Sequence, residues 1–103
     1  MLVTALVRRV GAAGGFAAVL ARGDDSAGAI LVVTQDRGLG AQIFERGIGP
    51  DGRTDLIAVG PADDPLAVGD YWAKRRRSDP DLWVIELDVA DAQRLAAETL
   101  LGD

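Results

Sequence analysis

Apolar side chains recur at helical spacing in the first part of the chain. Four of them follow one another at intervals of four, four and three residues and so lie on one face of a helix. They are Leu2, Leu6, Val10 and Ala13. The glycine pair that follows can take the left-handed conformation that ends a helix. Because the segment also contains β-branched valines, which favour strands, a first strand stays open as an alternative.

From residue 16 onward the pattern changes to short apolar runs separated by turns. Residues 16–22 and 29–35 form two predicted strands joined by the tight polar turn "GDDSAG", in which Gly23 or Gly28 takes a positive φ. "AQIFERG" and "TDLIAVG" are the third and fourth strands, separated by the turn "GPDG". Residues 29–35 are apolar on both faces, which is typical of a central strand. Successive strands with turns of this length predict an antiparallel meander.

The segment "PADDP" interrupts the strand pattern and begins a helix. Asp63 or Asp64 can serve as its N-cap, and Pro65 suits its first turn. The helix "PLAVGDYWAKRRRS" ends before Pro80, since the residue preceding a proline is pushed out of helical geometry. One face of this helix carries apolar groups at spacings of three and four. It consists of Val68, Tyr71, Trp72 and the stem of Arg75.

The segment "DLWVIELDV" predicts a fifth strand, and "DAQRLAAETLLG" a final amphipathic helix. Alternate strand residues point to opposite faces. One face has Trp83, Ile85, Leu87 and Val89, and the other has Leu82, Val84, Glu86 and Asp88. The elements predict an α+β fold with a mostly antiparallel sheet of four or five strands and two or three packed helices, in the order α-β-β-β-β-α-β-α. No linker divides the chain, so residues 1–103 form one predicted domain.

Composition narrows the chemistry that this domain can perform. The chain has no cysteine and no histidine, which excludes disulfides, thiolate metal sites and the usual general base near neutral pH. No cofactor and no metal site is predicted. No apolar run approaches the roughly 18 residues of a membrane span, and the first charges follow the apolar start, the wrong order for a secretory signal. A cytoplasmic protein is therefore expected, and the bias towards arginine, alanine and glycine indicates a bacterial one.

The run "KRRR" at residues 74–77 raises the question of nucleic-acid binding. The four cations fall in the last turn of the predicted helix, where the carbonyl end of the helix favours positive charge. Asp79 and Asp81 follow at once and can neutralise two of them. The net charge of the chain is −5, and such a field repels phosphate at long range. A helix-end role is predicted, with no nucleic-acid partner and no membrane partner.

Three further motifs have a structural and a functional interpretation. "GIGPDG" fits G-x-G-x-x-G, but no helix follows to receive a pyrophosphate, so a turn between strands is predicted. Asp24 and Asp25 can ligate a hard cation or simply bond nearby amides in their turn. Glu86 and Asp88 can act as an acid–base pair or as solvated side chains near a strand end. If a helix covers Glu86, the carboxylate needs a partner, for which arginines are candidates.

The stretches "ALVRR", "ARGDDSAGAILV" and "DPDLWVIELD" resemble the bacterial domain of unknown function 1491 family. The resemblance spans most of the chain and implies the fold unit but no reaction. The matching positions include Gly23, Ala27, Gly28, Asp79 and Pro80. The resemblance also singles out a set of candidate ligand-binding residues, which we expect to converge into one ion-pair network beside a tryptophan. These are Arg8, Arg9, Arg22, Asp24, Asp81, Trp83 and Glu86.

Three functions remain open from the sequence. The leading hypothesis is a non-enzymatic interaction or regulatory module, with a protein partner or a second copy of itself as partner, since few catalytic residue types are present. The alternative is a binder of a small anionic ligand through the arginine cluster. A carboxylate- or Mg-dependent enzyme is the second alternative.

Overall fold

The computed structural model describes residues 2–26 and 28–102, and within them three helices and five strands alternate. In chain order they are α1 (Leu2–Ala12), β1 (Phe16–Ala21), β2 (Ile30–Asp36), β3 (Leu39–Ile48), β4 (Thr54–Ala58), α2 (Pro65–Ser78), β5 (Trp83–Asp88) and α3 (Ala92–Leu101). The predicted α+β class and element order are confirmed, and the first segment is a helix. Ala27, one of the positions that carry the resemblance, lies outside the described residues.

The five strands form one mixed sheet in the order β1-β5-β2-β3-β4. Among the described strands, three neighbouring pairs are antiparallel and the pair of β2 and β5 is parallel. The predicted meander is therefore correct for β2, β3 and β4 but wrong for β1 and β2, because β5 lies between them. The "GDDSAG" segment is a connection across β5 and not a tight hairpin turn. The reason lies in burial: β5 is apolar on both faces and needs a neighbour on each side.

Helices cover both faces of the sheet. On the first face, α1 and α3 pack over Val32, Phe44, Ile85 and Leu87. On the second face, α2 packs over a smaller cluster, which contains Leu31, Val33, Ile43, Leu82 and Val84. The predicted division of the β5 side chains between two faces is confirmed. Within the described parts of the chain, none of the helices has the length and apolar character that crossing a bilayer requires.

The ends of α2 follow from local sequence. Asp64 is its N-cap, and the Asp64 carboxylate accepts hydrogen bonds from the backbone N–H groups of Leu66 and Ala67 at 3.1 and 3.2 Å. At the other end Asp79, which precedes Pro80, has extended backbone geometry. The second of the two aspartates considered is thus the cap, and the exit before the proline is confirmed.

The buried stripe of α1 differs from the predicted one. Val3, Leu6 and Val10 are buried, whereas Leu2 is 41% exposed and Ala13 lies beyond the helix. Spacings of three and four occur in both sets, so periodicity alone did not choose between Leu2 and Val3.

Candidate functional site

The described part of the loop between β1 and β2, residues 22–26 and 28–29, folds over the start of β5 and encloses Trp83. The indole Nε1 of Trp83 donates to the carbonyl of Asp24 at 2.9 Å, and the Trp83 backbone N–H donates to the carbonyl of Ala29 at 2.8 Å. The Asp24 backbone N–H donates to the carbonyl of Asp81 at 3.0 Å. Trp83 is only 4% exposed, so a buried indole N–H obtains its partner from this loop.

Two glycines allow the loop to lie close to the backbone of the residues just before β5. A Cβ atom at Gly23 would lie 2.2 Å from the Asp81 carbonyl oxygen, and one at Gly28 would lie 2.3 Å from the same atom. Gly23 has no positive φ, so the left-handed conformation predicted for it is wrong, whereas Gly28 follows Ala27, which lies outside the described residues. Both positions need glycine because a Cβ atom there would collide with the backbone carbonyl of Asp81, which lies just before β5. The Asp24 carboxylate accepts a hydrogen bond from the Ser26 hydroxyl at 3.0 Å, as expected of turn chemistry.

Arginines connect this loop to its surroundings. The Arg22 guanidinium lies 5.8 Å from the centre of the Trp83 ring, within the range of a cation–π contact. The Arg76 side chain donates to the Arg22 carbonyl at 2.8 Å and so joins α2 to the loop. A cavity of about 340 Å³ opens beside the ring, with Leu2 and Arg46 in its wall.

The predicted site residues divide into two groups. Arg22, Asp24, Asp81 and Trp83 meet in the loop, although Asp81 contributes its backbone carbonyl there. The other three, Arg8, Arg9 and Glu86, lie elsewhere and do not join them in one ion-pair network.

Each of those three positions follows from its element. Arg9 pairs with Glu98 on α3 at 3.0 Å and also donates to Thr99. Arg8 is exposed on α1, and Glu86 is half-buried on the opposite face of the sheet, beside Val33. Arginines on α1 therefore cannot reach Glu86 through the sheet. A ligand-binding role for the seven residues stays a prediction.

The basic run lies at the end of α2, as predicted, but its arginines bind groups on other elements. Arg75 makes a two-point ion pair with Glu45 on β3, with nitrogen–oxygen distances of 3.1 and 2.7 Å. The hydrogen bond to Glu45, and then that to the Tyr71 hydroxyl, raises the pKa of Arg75 above its ordinary value. Arg76 binds the loop at residues 22–29, and so neither arginine is neutralised by the aspartates that follow the helix.

Carboxylates elsewhere take structural roles. Asp88 accepts from the Arg37 backbone N–H at 2.7 Å and thereby holds the turn between β2 and β3. "GIGPDG" forms the turn between β3 and β4, as predicted, where Gly52 has a φ of +79° and donates to Gly49. In residues 2–26 and 28–102, no group of three or more acidic side chains is arranged to hold a metal ion.

Sequence reasoning missed an exposed apolar edge of the sheet. β1 is an edge strand with the sequence "FAAVLA", and it carries no charged residue. Phe16 is 79% exposed, Val19 48% and Leu20 37%. Its uncharged composition was visible in the sequence, but its place at the edge depends on β5 lying between β1 and β2.

An exposed side chain of α1 extends this apolar edge. At about 100° per residue, Val7 and Arg9 lie on opposite sides of the buried Leu6–Val10 stripe. Arg9 contacts α3, so Val7 lies towards the free side of β1, and it is 38% exposed. We call Val7, Phe16, Val19 and Leu20 the β1 edge patch. Together these side chains flank the edge strand on both faces of the sheet, since Val19 pairs with Ile85 on the α1 face and Phe16 pairs with Asp88 on the opposite face.

Comparison with known proteins identifies the family. A profile described as protein of unknown function DUF1491 matches residues 1–97. The chain belongs to the DUF1491 family. The motifs that carry this resemblance in the sequence include those that build the Trp83 loop, where Gly23 and Gly28 lie against the Asp81 carbonyl and the Trp83 ring.

Solved structures agree with this membership. A crystal structure of a DUF1491 family protein from Caulobacter crescentus CB15 has 33% identity and a TM-score of 0.79, with 90% of this chain and 88% of that chain covered. An NMR structure of a DUF1491 family protein from the same organism has 33% identity and a TM-score of 0.77, with 91% of this chain and 86% of that chain covered. The solution structure of protein Atu0922 from A. tumefaciens has 30% identity and a TM-score of 0.74, with 97% of this chain and 87% of that chain covered. A comparison with curated proteins gives no match.

Proposed function

We propose that this DUF1491 protein is a non-enzymatic interaction module that self-associates by pairing β1 with β1 of a second copy in antiparallel orientation. The observation that supports this proposal is the exposed, uncharged edge strand, whose outer backbone groups have no neighbouring strand in the part of the chain that the structure describes. An added strand would satisfy these N–H and C=O groups and would bury the β1 edge patch.

The two edges of the sheet differ in how they resist pairing. β4 has only five residues and includes Asp55, and both shortness and charge discourage an added strand. β1 has neither a charge nor a proline. Its register shift between Val19 and Ala21 leaves the stretch from Phe16 to Val19 as the regular part of the edge. β1 is therefore the edge at which we expect pairing.

Charge at the two ends of β1 supports an antiparallel arrangement. Glu86 and Asp88 on β5 lie next to Ala18 and Phe16, near the beginning of β1. Arg22 directly follows the end of β1. When two copies run in opposite directions, the acidic end of one lies against the basic end of the other, on both sides of the two-fold axis.

The size of the edge indicates a weak dimer. A strand of six residues is roughly 20 Å long, and a stable interface buries about 800 Å² per partner. Pairing of β1 together with the β1 edge patch covers less than a typical stable interface, so we expect dissociation in the micromolar range.

Sedimentation velocity over a concentration series tests this proposal. We expect reversible dimers of the wild-type protein between about 10 μM and about 1 mM. Phe16→Lys should raise the dissociation constant at least about tenfold, because it replaces an exposed apolar side chain of the β1 edge patch by a charge that association would have to desolvate. Leu66→Lys is the matched control: Leu66 is 83% exposed on α2, and the substitution makes the same change in charge away from β1.

Two outcomes would contradict self-association through β1. One is a monomer at every concentration, and the other is an equal effect of the two lysine substitutions.

We also propose that the module acts in the bacterial cytoplasm, which the absence of cysteine and the bacterial relatives support.

A further inference from the structure

The hydrogen bonds of β5 show which backbone groups of β1 are free to pair. The Trp83 N–H donates to the carbonyl of Ala29, just before β2. At the other end, the Val89 N–H donates to the carbonyl of Gln35 in β2. The backbone groups of successive strand residues point to opposite sides of the strand. The odd-numbered residues of β5 therefore point towards β2, and the even-numbered residues point towards β1.

The same alternation divides the residues of β1 into two sets. Ala18 lies opposite Glu86, and because Glu86 points towards β1, these two residues exchange backbone hydrogen bonds. Phe16 does the same one pair earlier. Ala17 and Val19 alternate with them, so their N–H and C=O groups point outward, where no strand lies within the described part of the chain. In the regular part of β1, these two residues therefore present the groups that an added strand must bind.

The residues around this pair limit the register of a second copy. In an antiparallel pair, an outward residue needs an outward residue directly opposite it. If Ala17 faced itself, Val19 would face Gly15, whose N–H already donates to the Val10 carbonyl at 3.0 Å. If Val19 faced itself, Ala17 would face Ala21, which lies beyond the register shift and pairs with β5. Both of these registers leave outward groups without a partner.

We propose that the dimer has one register, in which Ala17 of one copy faces Val19 of the other and the two-fold axis passes between the two Ala18 residues. This inference rests on the proposed self-association through β1. Ala17 and Val19 exchange two backbone hydrogen bonds on each side of the axis, so the outward N–H and C=O groups of both residues are paired in both copies. The partner that fits this edge is therefore a second copy of the chain, held in a defined register.

The sizes of the side chains fit this register. Ala17 and Val19 lie on the α1 face of the sheet, where Val19 is 48% exposed in the single chain. Each Val19 then packs against the small Ala17 of the other copy, so a large and a small side chain meet on both sides of the axis. Ala18 is exposed on the opposite face, beside Glu86. At the axis the two Ala18 Cα atoms lie about 4.5 Å apart, as in other pairs without direct hydrogen bonds.

Disulfide cross-linking tests the register, because the chain has no cysteine of its own. Ala18→Cys places two thiols across the axis, within the Cα separation of about 4.4–6.8 Å that a disulfide needs. In Ala17→Cys the two substituted residues are offset along the strands, with Cα atoms about 8–9 Å apart, which is too far. Leu66→Cys, at an 83% exposed position of α2, measures cross-linking by random collision.

The full-length variants are oxidised with oxidised glutathione at a concentration that gives dimers. Each cross-linking rate is divided by the rate at which that thiol reacts with iodoacetamide, which corrects for accessibility. Ala18→Cys should cross-link at least about tenfold faster than Ala17→Cys and Leu66→Cys, since thiols held together in one complex have a millimolar effective concentration. Equal rates for Ala17→Cys and Ala18→Cys, or a rate for Ala18→Cys no higher than for Leu66→Cys, would overturn the register.

Sedimentation of the reduced Ala18→Cys variant separates the failure of this inference from the failure of the proposed function. A reversible dimer that does not cross-link rapidly at residue 18 would refute the register and leave self-association standing. A monomer at every concentration, for this variant and for the wild-type protein, would refute both.

Amide hydrogen exchange of the wild-type protein, followed by NMR, tests the pairing without a substitution. The N–H groups of Ala17 and Val19 should exchange about threefold more slowly at about 1 mM than at about 50 μM protein, because pairing protects them in the dimer. The N–H groups of Phe16 and Ala18 already bind β5, so their exchange should change less. An unchanged rate at Ala17 and Val19, or the same change at all four residues, would contradict the inference.

Discussion

Replacing Gly23 by alanine tests whether the Trp83 loop depends on close backbone approach. The added Cβ would lie 2.2 Å from the Asp81 carbonyl oxygen and 2.7 Å from Cδ1 of Trp83, where ordinary carbon contacts need about 3.5 Å or more. The loop must therefore move by about 1 Å, which breaks the bond from the Asp24 N–H to Asp81 and the bond from Trp83 Nε1 to Asp24.

The structure sets the size of the effect. Each lost hydrogen bond contributes about 0.5–1.5 kcal/mol, and leaving the indole N–H of Trp83 buried without a partner adds about 1–3 kcal/mol. The smaller freedom of alanine in the unfolded chain offsets about 0.4–1 kcal/mol. Together these terms give a net loss of about 1–6 kcal/mol in the free energy of unfolding, with a centre of about 3 kcal/mol. A loss of about 3 kcal/mol lowers the melting temperature by about 12–24 °C in a domain of this size.

Urea unfolding followed by tryptophan fluorescence, together with calorimetry, measures both quantities. Gly69→Ala provides a control with the same chemical change and the opposite expected sign. Gly69 lies inside α2, and a Cβ there would meet no atom within 4 Å. Alanine should stabilise that helix by about 0.5–1 kcal/mol. If Gly23→Ala unfolds within about 0.5 kcal/mol of wild type, the loop has room for a side chain and the packing account of the motif is incorrect.

Two further predictions concern the basic end of α2. Arg75→Gln should lower the free energy of unfolding by about 1–1.5 kcal/mol, since Glu45 loses a two-point ion pair at a position about one-third exposed. Because the pKa of Arg75 is raised, the ion pair stabilises the fold below the ordinary arginine pKa and is lost only in strong alkali. The loss of stability in Arg75→Gln, measured by urea unfolding, should therefore be equal at about pH 6 and about pH 8. A strong pH dependence over this interval would contradict a stabilising ion pair between Arg75 and Glu45. The protein should pass through DNA- and RNA-coupled columns unretained at about 50 mM salt, and retention that disappears on neutralising Lys74 and Arg77 would show that the basic run binds polynucleotides.

Local signals in the sequence located most of the secondary structure. Asp64 and Pro65 marked the beginning of α2, and Pro80 marked its end, because capping and proline geometry act within a few residues. The two faces of β5 were also correct, since alternation in a strand depends only on the sequence of that strand.

The candidate sites were less predictable because they join distant positions. The Trp83 loop contacts β5 across 59 residues, and Arg75 meets Glu45 across 30. For the arginine cluster, the sequence placed Arg9 beside Glu86, whereas the sheet separates them.

The sequence by itself determined the types of the elements after the first, the order of the elements, the two faces of β5 and the absence of histidine and cysteine chemistry. Only the tertiary structure decided that β5 lies between β1 and β2, and this single placement creates both the exposed edge at β1 and the loop that encloses Trp83. The physical reason is that hydrophobic periodicity specifies which side of a strand faces the core. The choice of neighbouring strand depends on non-local hydrogen bonding and packing, which no short stretch of sequence encodes.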